Sequence, residues 1–291
     1  MASELQVYVG DRVVPLSQAS VSVFDAGFQS GDAVWEGLRV YGGRVLELDR
    51  HLRRLEASAR ALRIRLPYDA DGFARAVAET LQANGFVDDT HIRLMVTRGT
   101  RSTSGMDPRN APPVGTAVVV AEHKPVPEEP AAQRLRTASI RRPQPQFVDP
   151  GIHHANQLNS ILARLEVLDD PDVDAALMLD AFGYVAEADT ANLFCVSGGA
   201  VRTPLATSCL HGITRGAVLD LARAGGYPTT EEQLTLFDLY SADEVFLTGT
   251  VCELVPVVVL DRRPIGRGTP GPVWRDLLRR YRTRVSERTR R

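Results

Sequence analysis

GIHHANQLNSILARLE, residues 151 to 166, is the stretch on which the reading of this chain turns. Leu158, Ile161, Leu162 and Leu165 recur at the spacing of one helical face, so the pattern predicts an amphipathic helix. Two histidines, His153 and His154, stand where the chain approaches that helix.

Downstream of it, DAALMLD (174–180), GYVAEAD (183–189) and NLFCVSGGAVRT (192–203) read as strands. A helix is expected near 213–224, strands over EVFLTGT (244–250) and LVPVVVLDRRPI (254–265), and a closing helix over PVWRDLLRRYRTRV (272–285). The last six residues, SERTRR, are expected to form a frayed basic tail. Upstream, LQVYVGDRVV (5–14) and LRVYGGRVLEL (38–48) are strand-like, and Gly42–Gly43 marks a hairpin turn. Helices are expected over 49–62 and 71–83, with strands at HIRLMVTRG (91–99) and TAVVVAE (116–122). Six prolines fall within residues 125–150, which reads as a connecting segment with a strand inside it. The expected fold class is α+β in two domains. A small α/β N-terminal domain covers 1–121, an interdomain loop 122–135, and a larger C-terminal domain 136–291.

Hydrophobic residues make up 44% and charged residues 24%, enough for an ordinary globular core. The formal net charge of −2 gives no reason to expect nucleic acid or an anionic membrane as partner. MASELQVYVGDR at the N-terminus lacks the apolar centre of a signal peptide, and no apolar run nears the ~20 residues of a membrane span. The chain is therefore expected to be cytoplasmic. Cys195, Cys209 and Cys252 have no metal-like spacing and are expected to be reduced structural thiols, with no metal bound. Of 34 basic residues, 33 are arginine and only Lys124 is lysine. Chemistry that needs a lysine amine has one candidate.

Four short segments carry possible chemistry. LHGITRG (210–216) puts Gly212 and Thr214 at the mouth of a helix, where backbone N–H groups can hold a phosphate or simply be capped. LTGTVCE (247–253) ends a strand in Thr248, Gly249 and Thr250, a turn or an anion cup. Arg54 in HLRRLEASA (51–59) is either solvated or a guanidinium fork for phosphate. Glu187 in GYVAEADTANLF (183–194) is a carboxylate among apolar neighbours, and burial there calls for a cationic partner.

Taken together, these segments resemble a known family. FDAGFQSGDAVWEGLRVY (24–41), HLRRLEASARAL (51–62), HIRLMVTRGTRSTSGMDPR (91–109), NQLNSILARLE (156–166), LDAFGYVAEADTANLF (179–194), LHGITR (210–215) and DLYSADEVFLTGTVCELVPV (238–257) follow in this order. The chain is similar, from about residue 5 to about residue 283, to the class IV aminotransferases, the fold type IV enzymes of pyridoxal phosphate (PLP). Branched-chain and D-amino acid aminotransferases and aminodeoxychorismate lyase belong there. The resemblance implies a pseudo-barrel for the larger domain, PLP or its amine form PMP as cofactor, an amino or keto acid as substrate, and pairing as a homodimer. It assigns the cofactor phosphate to Arg54, the backbone at Ile213 and Thr214, and Thr250. Glu187 would pair with the pyridine nitrogen and Leu210 would lie on the ring face. Trp35, Arg93 and the 122–127 loop would border the substrate.

The family's motif at the helix approach is a lysine, two residues, an asparagine, then commonly tyrosine-leucine-asparagine. HHANQLN stands there, and Asn156 and Asn159 fix the register, so the lysine position is His153. Imidazole has no primary amine and cannot tether the cofactor covalently. With an unperturbed pKa of about 6.5 it can still move protons. Gln157 replaces the common tyrosine. Lys124, in the connecting segment, reads as a solvated loop lysine. The D-amino acid branch holds the substrate carboxylate with an arginine and a histidine after TRGT, where Thr103 and Gly105 stand here. Arg93 is closer to the branched-chain group, although His91 occupies a position commonly tyrosine there. Three readings stay open: an enzyme holding PLP or PMP without a tether and using His153 as acid–base group, a PLP-independent lyase, cyclase or hydrolase on the same fold, and a silent binding protein.

Overall fold

In a computed structural model that describes residues 4–289, the chain divides into two compact units. One holds the chain up to Pro125, Ile152–Asn156 and the end from Ser286. The other holds Val126–Gly151 and Gln157–Val285.

The alternating segments of the first unit become β1 (Gln6–Val9), β2 (Arg12–Pro15), β3 (Ala33–Tyr41), β4 (Arg44–Val45), β5 (Thr90–Thr97) and β6 (Thr116–His123), with a short α1 (Ala26–Ser30) before β3. They make one antiparallel sheet in the order β2-β1-β6-β5-β3-β4. Helices α2 (Leu48–Ala61) and α3 (Ala70–Asn84) supply its cover. Leu52, Leu55 and Ala59 of α2, and Phe73, Ala76 and Val77 of α3, pack on Val34, Leu38, Ile92, Leu94 and Val119. Asp69 caps α3 by accepting from Gly72 N–H at 2.8 Å, which fixes where that helix starts.

Along residues 33–37, β3 has an edge that β4 does not cover, because β4 pairs only with Val40 and Tyr41. Residues 153–155 fill this edge. Trp35 N–H donates to His153 O (3.0 Å), Ala155 N–H donates to Ala33 O (2.8 Å), and His154 lies opposite Val34. Gly31, with φ +66°, ends α1 against this segment. A Cβ there would come within 3.0 Å of Asn156 Cβ, so both the conformation and the space require glycine.

The second unit contains β7 (Gln133–Arg141), α4 (Leu158–Leu165), β8 (Ala175–Leu179), β9 (Val185–Ala188), β10 (Asn192–Ser197), β11 (Ala200–Pro204), α5 (Ile213–Ala224), β12 (Thr229–Glu232), α6 (Leu236–Tyr240), β13 (Glu244–Gly249), β14 (Glu253–Leu260), β15 (Arg263–Pro264) and most of α7 (Pro272–Thr289). The strands form a nine-stranded mixed sheet, β12-β11-β10-β13-β14-β7-β8-β9, with β15 beside β14. β9 also packs against β10 and β11, so the sheet curls back on itself into a half-barrel. Leu135, Leu177, Leu193, Leu247 and Val257 fill its inside. No helix among the described residues is long and apolar enough to cross a membrane.

Three expectations change. The 122–135 segment is a loop only in its middle, since β6 extends to His123 opposite Thr90 and β7 starts at Gln133 opposite Val257. Residues 152–156 join the first unit through their bonds to β3. The SERTRR tail is helical through Thr289, and Arg288 pairs with Glu47 at 2.7 Å; residues 290 and 291 lie outside the described residues. Helix α4 shows which of its faces is covered. Its helix is as expected, but its leucine face is outward: Leu158, Ile161, Leu162 and Leu165 are 41–58% exposed. Ser160 and Ala163 face in, with Ala163 packed on Ala138, Ala176 and Met178. Small side chains let the helix lie close on β7 and β8, and periodicity reports which residues share a face, not which face is covered. Ala163→Leu is therefore expected to overpack this contact and lower stability by ~1–3 kcal/mol in urea unfolding.

Candidate active site

The residues singled out from the sequence divide between the units. Trp35, Arg54, Arg93 and His153 lie in the first, and Glu187, Leu210, Ile213, Thr214 and Thr250 in the second.

In the first unit the centre is a residue that sequence reasoning passed over. Glu36 on β3 is fully buried, on the face toward α2. Helix α2 answers it with His51, Arg54 and Ser58, three and four residues apart and hence on one side. Arg54 grips the carboxylate side-on, Nε to Oε1 at 2.8 Å and Nη2 to Oε2 at 2.7 Å. His51 Nδ1 stands 2.7 Å from Oε2. His153 hangs from the β3 edge, its backbone N–H donating to Ser58 Oγ at 3.0 Å. Its Nδ1 is 3.3 Å from Arg54 Nη2 and 3.5 Å from Glu36 Oε1. Burial pushes the Glu36 pKa up, but the hydrogen bonds from Arg54 and His51, with His153 beside them, outweigh it and hold the carboxyl well below its usual range. Burial is also the main influence on His153, and it pushes the pKa down despite the pull of Glu36, which favours the neutral ring. Arg54 is thus neither solvated nor an open fork.

The Trp35 ring lies 4.2 Å from the His153 ring, and Arg93 sits 4.0 Å over the Trp35 ring. Among the described residues Arg93 has no carboxylate partner, and burial pushes its pKa down. His91, two residues before Arg93 on the same strand face, has a buried Nδ1 without a hydrogen-bond partner. Lys124 is 46% exposed at its side chain and pairs with Glu122 at 2.8 Å.

In the second unit Glu187 on β9 is buried, and Met178 stands opposite on β8. Arg142 Nη2 reaches Oε1 at 2.6 Å, Asn192 Nδ2 donates to Oε2 at 2.9 Å, and Leu210 N–H donates at 3.2 Å. Burial pushes the Glu187 pKa up, against the opposing pull of Arg142. The carboxylate therefore holds room for more positive charge. Asn192 also donates to Leu210 O at 2.9 Å, so one side chain ties Glu187 to the chain leading into α5.

Helix α5 begins after Gly212, which offers no side-chain cap. A Cβ at Gly212 would meet Asn192 Oδ1 at 2.0 Å, so only glycine permits this approach. The first-turn N–H groups at Ile213 and Thr214 keep an anion-seeking end. Arg215 is turned aside to Glu231 (2.7 Å) and Pro204 O (2.8 Å). Thr248 on β13 pairs with Asn192 across the sheet, and its hydroxyl is buried with no hydrogen-bond partner among the described residues. Thr250 follows at the turn. An uncapped helix start, an orphaned hydroxyl and an undercompensated carboxylate fit a phosphorylated pyridine.

Sequence reasoning missed Glu36, His51, Arg142 and Asn192. Glu36 carried a signal, a lone carboxylate in the apolar run AVWEGL, the same that singled out Glu187. The three cysteines are free, and burial pushes the Cys195 and Cys209 thiols up to about 12. Among the described residues no group of three or more His, Cys, Asp or Glu side chains is placed to hold a metal ion.

The chain belongs to the class IV aminotransferases: the family model Amino-transferase class IV matches residues 33–260. It is 45% identical over 280 residues to branched-chain-amino-acid aminotransferase-like protein 2 of Arabidopsis thaliana, covering 96% of this chain and 50% of that protein. To the putative branched-chain-amino-acid aminotransferase of Methanocaldococcus jannaschii it is 38% identical, with 95% of both chains covered. The chain thus spans half the length of the Arabidopsis relative and nearly all of the archaeal one. In three dimensions it matches the crystal structure of a branched-chain amino acid aminotransferase complexed with N-(5'-phosphopyridoxyl)-L-glutamate, with a TM-score of 0.92, 32% identity, and 99% of this chain and 96% of that one covered. The branched-chain aminotransferase of the archaeon Thermoproteus uzoniensis, solved with norvaline, matches with a TM-score of 0.88 and 30% identity over 96% of this chain and 94% of that one.

Burial, and next to it Lys124, push the His91 pKa down from 6.5 to about 4. Between those values the unfolded chain takes up a proton that the folded one refuses, so His91 makes stability rise with pH from about 4 to about 6.5. His91→Gln is expected to flatten that rise, measured as urea midpoints at a series of pH values.

Proposed function

We propose that this chain is an aminotransferase-type enzyme that holds PLP or PMP without a covalent tether and acts on an amino or keto acid, with His153 as its acid–base group. The observation that carries this reading is the buried imidazole of His153 against Trp35 and beside Glu36 and Arg54, while the one lysine is drawn to Glu122. A solved relative with a TM-score of 0.92 is described with pyridoxamine 5'-phosphate, which supports the cofactor class.

When bound, the cofactor supplies an electron-poor ring that takes up charge from the substrate Cα. Glu187 would hold the pyridine nitrogen, and the added positive charge would answer its upward-shifted pKa. The N–H groups at Ile213 and Thr214, with Thr250, would hold the phosphate, and Leu210 would lie on the ring face. Arg93 is the receptor for the substrate carboxylate, and Trp35 sets the wall beside it. His153 takes a proton on a ring nitrogen and returns it. Arg54 adds its charge to the phosphate side, shared with Glu36.

That sharing favours one second reading. With Nε and Nη2 directed to Glu36, and Arg142 already on Glu187, a PLP-independent enzyme on this fold is the alternative.

Absorbance spectra, thermal unfolding and intact mass, with PLP or PMP and after borohydride, separate these. Both cofactors are expected to raise Tm, and reduction is expected to leave the mass of the bare chain. A reduced adduct at Lys124 or elsewhere would overturn the tether-free form, and no binding of either cofactor would favour the alternative. Turnover of an amino or keto acid should fall by ~10²–10⁴-fold in His153→Ala. Unchanged turnover removes His153 from the mechanism.

The exposed leucine face of α4, continued by Leu168 at 64% exposure, is the proposed cover of a homodimer. Ile161→Arg is expected to shift the sedimentation mass from two chains toward one.

A further inference from the structure

His153 Nδ1 stands between a cation and an anion, Arg54 Nη2 at 3.3 Å and Glu36 Oε1 at 3.5 Å. The choice between them fixes the chemistry of the other ring nitrogen. If Nδ1 accepts from Arg54, the neutral ring carries its proton on Nε2 and can only donate there. If Nδ1–H donates to Glu36, Nε2 carries a lone pair and can act as a base.

The lone pairs of Glu36 bear on this choice. An ionised carboxylate has about two acceptor sites on each oxygen. Oε2 takes Arg54 Nη2–H and His51 Nδ1–H, both at 2.7 Å, and is full. Oε1 takes Arg54 Nε–H at 2.8 Å and has one site left, in a residue with no exposed surface. His153 Nδ1 is the group placed beside that site. The charged and titratable groups around the ring are Glu36 from β3 and His51 and Arg54 from α2. Trp35 covers one ring face, and Ser58 holds the backbone N–H. Only Glu36 can serve His153 in both protonation states. Nδ1–H donates to it whether Nε2 is empty or protonated, whereas a protonated ring facing Arg54 is repelled. The 3.5 Å separation is beyond an ordinary N–H···O bond and is of the kind that tightens when the ring gains charge.

We propose that Glu36 is the positioning residue of His153. It accepts the Nδ1 proton, fixes the ring as the tautomer with a free Nε2, and so makes Nε2 the atom that takes and returns the proton. The buried Arg54–His51 pair in turn keeps Glu36 ionised and in place. This inference rests on the reading of His153 as the acid–base group, but its test does not require bound cofactor.

The test is imidazole 15N NMR on the full-length labelled chain without ligand, titrated with acid, with His153→Ala assigning the signal. At pH 7 the wild-type ring is expected to show a protonated Nδ1 and a bare Nε2, with Nε2 the nitrogen that titrates. In Glu36→Gln the ring should move toward the Nε2–H form and titrate at lower pH. With substrate and cofactor, kcat should fall by ~10²–10⁴-fold while KM changes little, and Glu36→Asp should recover part of it. A wild-type ring protonated on Nε2 overturns the proposal, as does a folded Glu36→Gln protein whose His153 tautomer and titration are unmoved; Glu36 would then be only a counter-ion for Arg54. If Glu36→Gln does not fold, the wild-type tautomer alone decides. Loss of turnover in His153→Ala together with an Nε2–H ring would sink this inference and leave the broader reading standing.

Discussion

One buried negative charge organises the first unit. A carboxylate with no exposed surface is tolerated only if donors surround it, and Glu36 draws three of them from outside its own strand. Two come from α2, so the carboxylate sets the rotation of that helix over the sheet. The face carrying His51, Arg54 and Ser58 must meet β3, and Leu52 and Leu55 settle into the core beside it. Ser58 then offers the hydroxyl that holds His153 N–H. The placement of His153 is therefore a consequence of satisfying Glu36, together with the uncovered edge of β3.

The second unit also gathers around a buried carboxylate, with the opposite electrostatic result. Glu36 receives a side-on guanidinium and two imidazoles, and its pKa falls. Glu187 receives one guanidinium nitrogen, an amide and a backbone N–H, and its pKa rises. Both are buried, so the difference lies in the donors: a guanidinium bound side-on through two nitrogens with imidazoles beside it at Glu36, and a single guanidinium nitrogen, an amide and a backbone N–H at Glu187. A site with a shortfall of positive charge is a receptor for a cation, and a satisfied one is a scaffold. This distinction separates the cofactor-binding role proposed for Glu187 from the positioning role proposed for Glu36, though the two strands look alike in sequence.

Much of the fold was legible because its strands alternate and its helices repeat at 3.6 residues. Helices α2, α3, α5 and α7 stand within a few residues of their expected bounds. Where reading failed, the missing information was long-range. The segment 152–156 has no pattern of its own that says it will pair with β3, far earlier in the chain. The leucines of α4 define a stripe, but its direction depends on Ser160 and Ala163 fitting close to β7 and β8. β12 and α6 are four and five residues long, too short for periodicity to show. At the site, Arg54, Glu187 and Gly212 could be singled out by residue type and spacing, but their partners could not. That Arg54 is bound to Glu36, and Glu187 to Arg142, depends on contacts between different elements of the chain.

The surroundings of position 153 favour imidazole over an amine. Arg54 Nη2 lies 3.3 Å from the ring, and the residue is buried. A permanent cation there would face both desolvation and that guanidinium, with Glu36 already shared among three other contacts. An arginine, abundant as it is elsewhere in this chain, would stay charged and could neither receive nor deliver a proton. In the proposed acid–base role imidazole would escape the conflict, because burial favours its neutral form and it would be charged only while carrying the proton, with one nitrogen toward the carboxylate throughout. In the proposed tether-free site the burden of holding the cofactor would fall on the second unit, whose uncapped α5 start and undercompensated Glu187 suit a phosphate and a pyridinium.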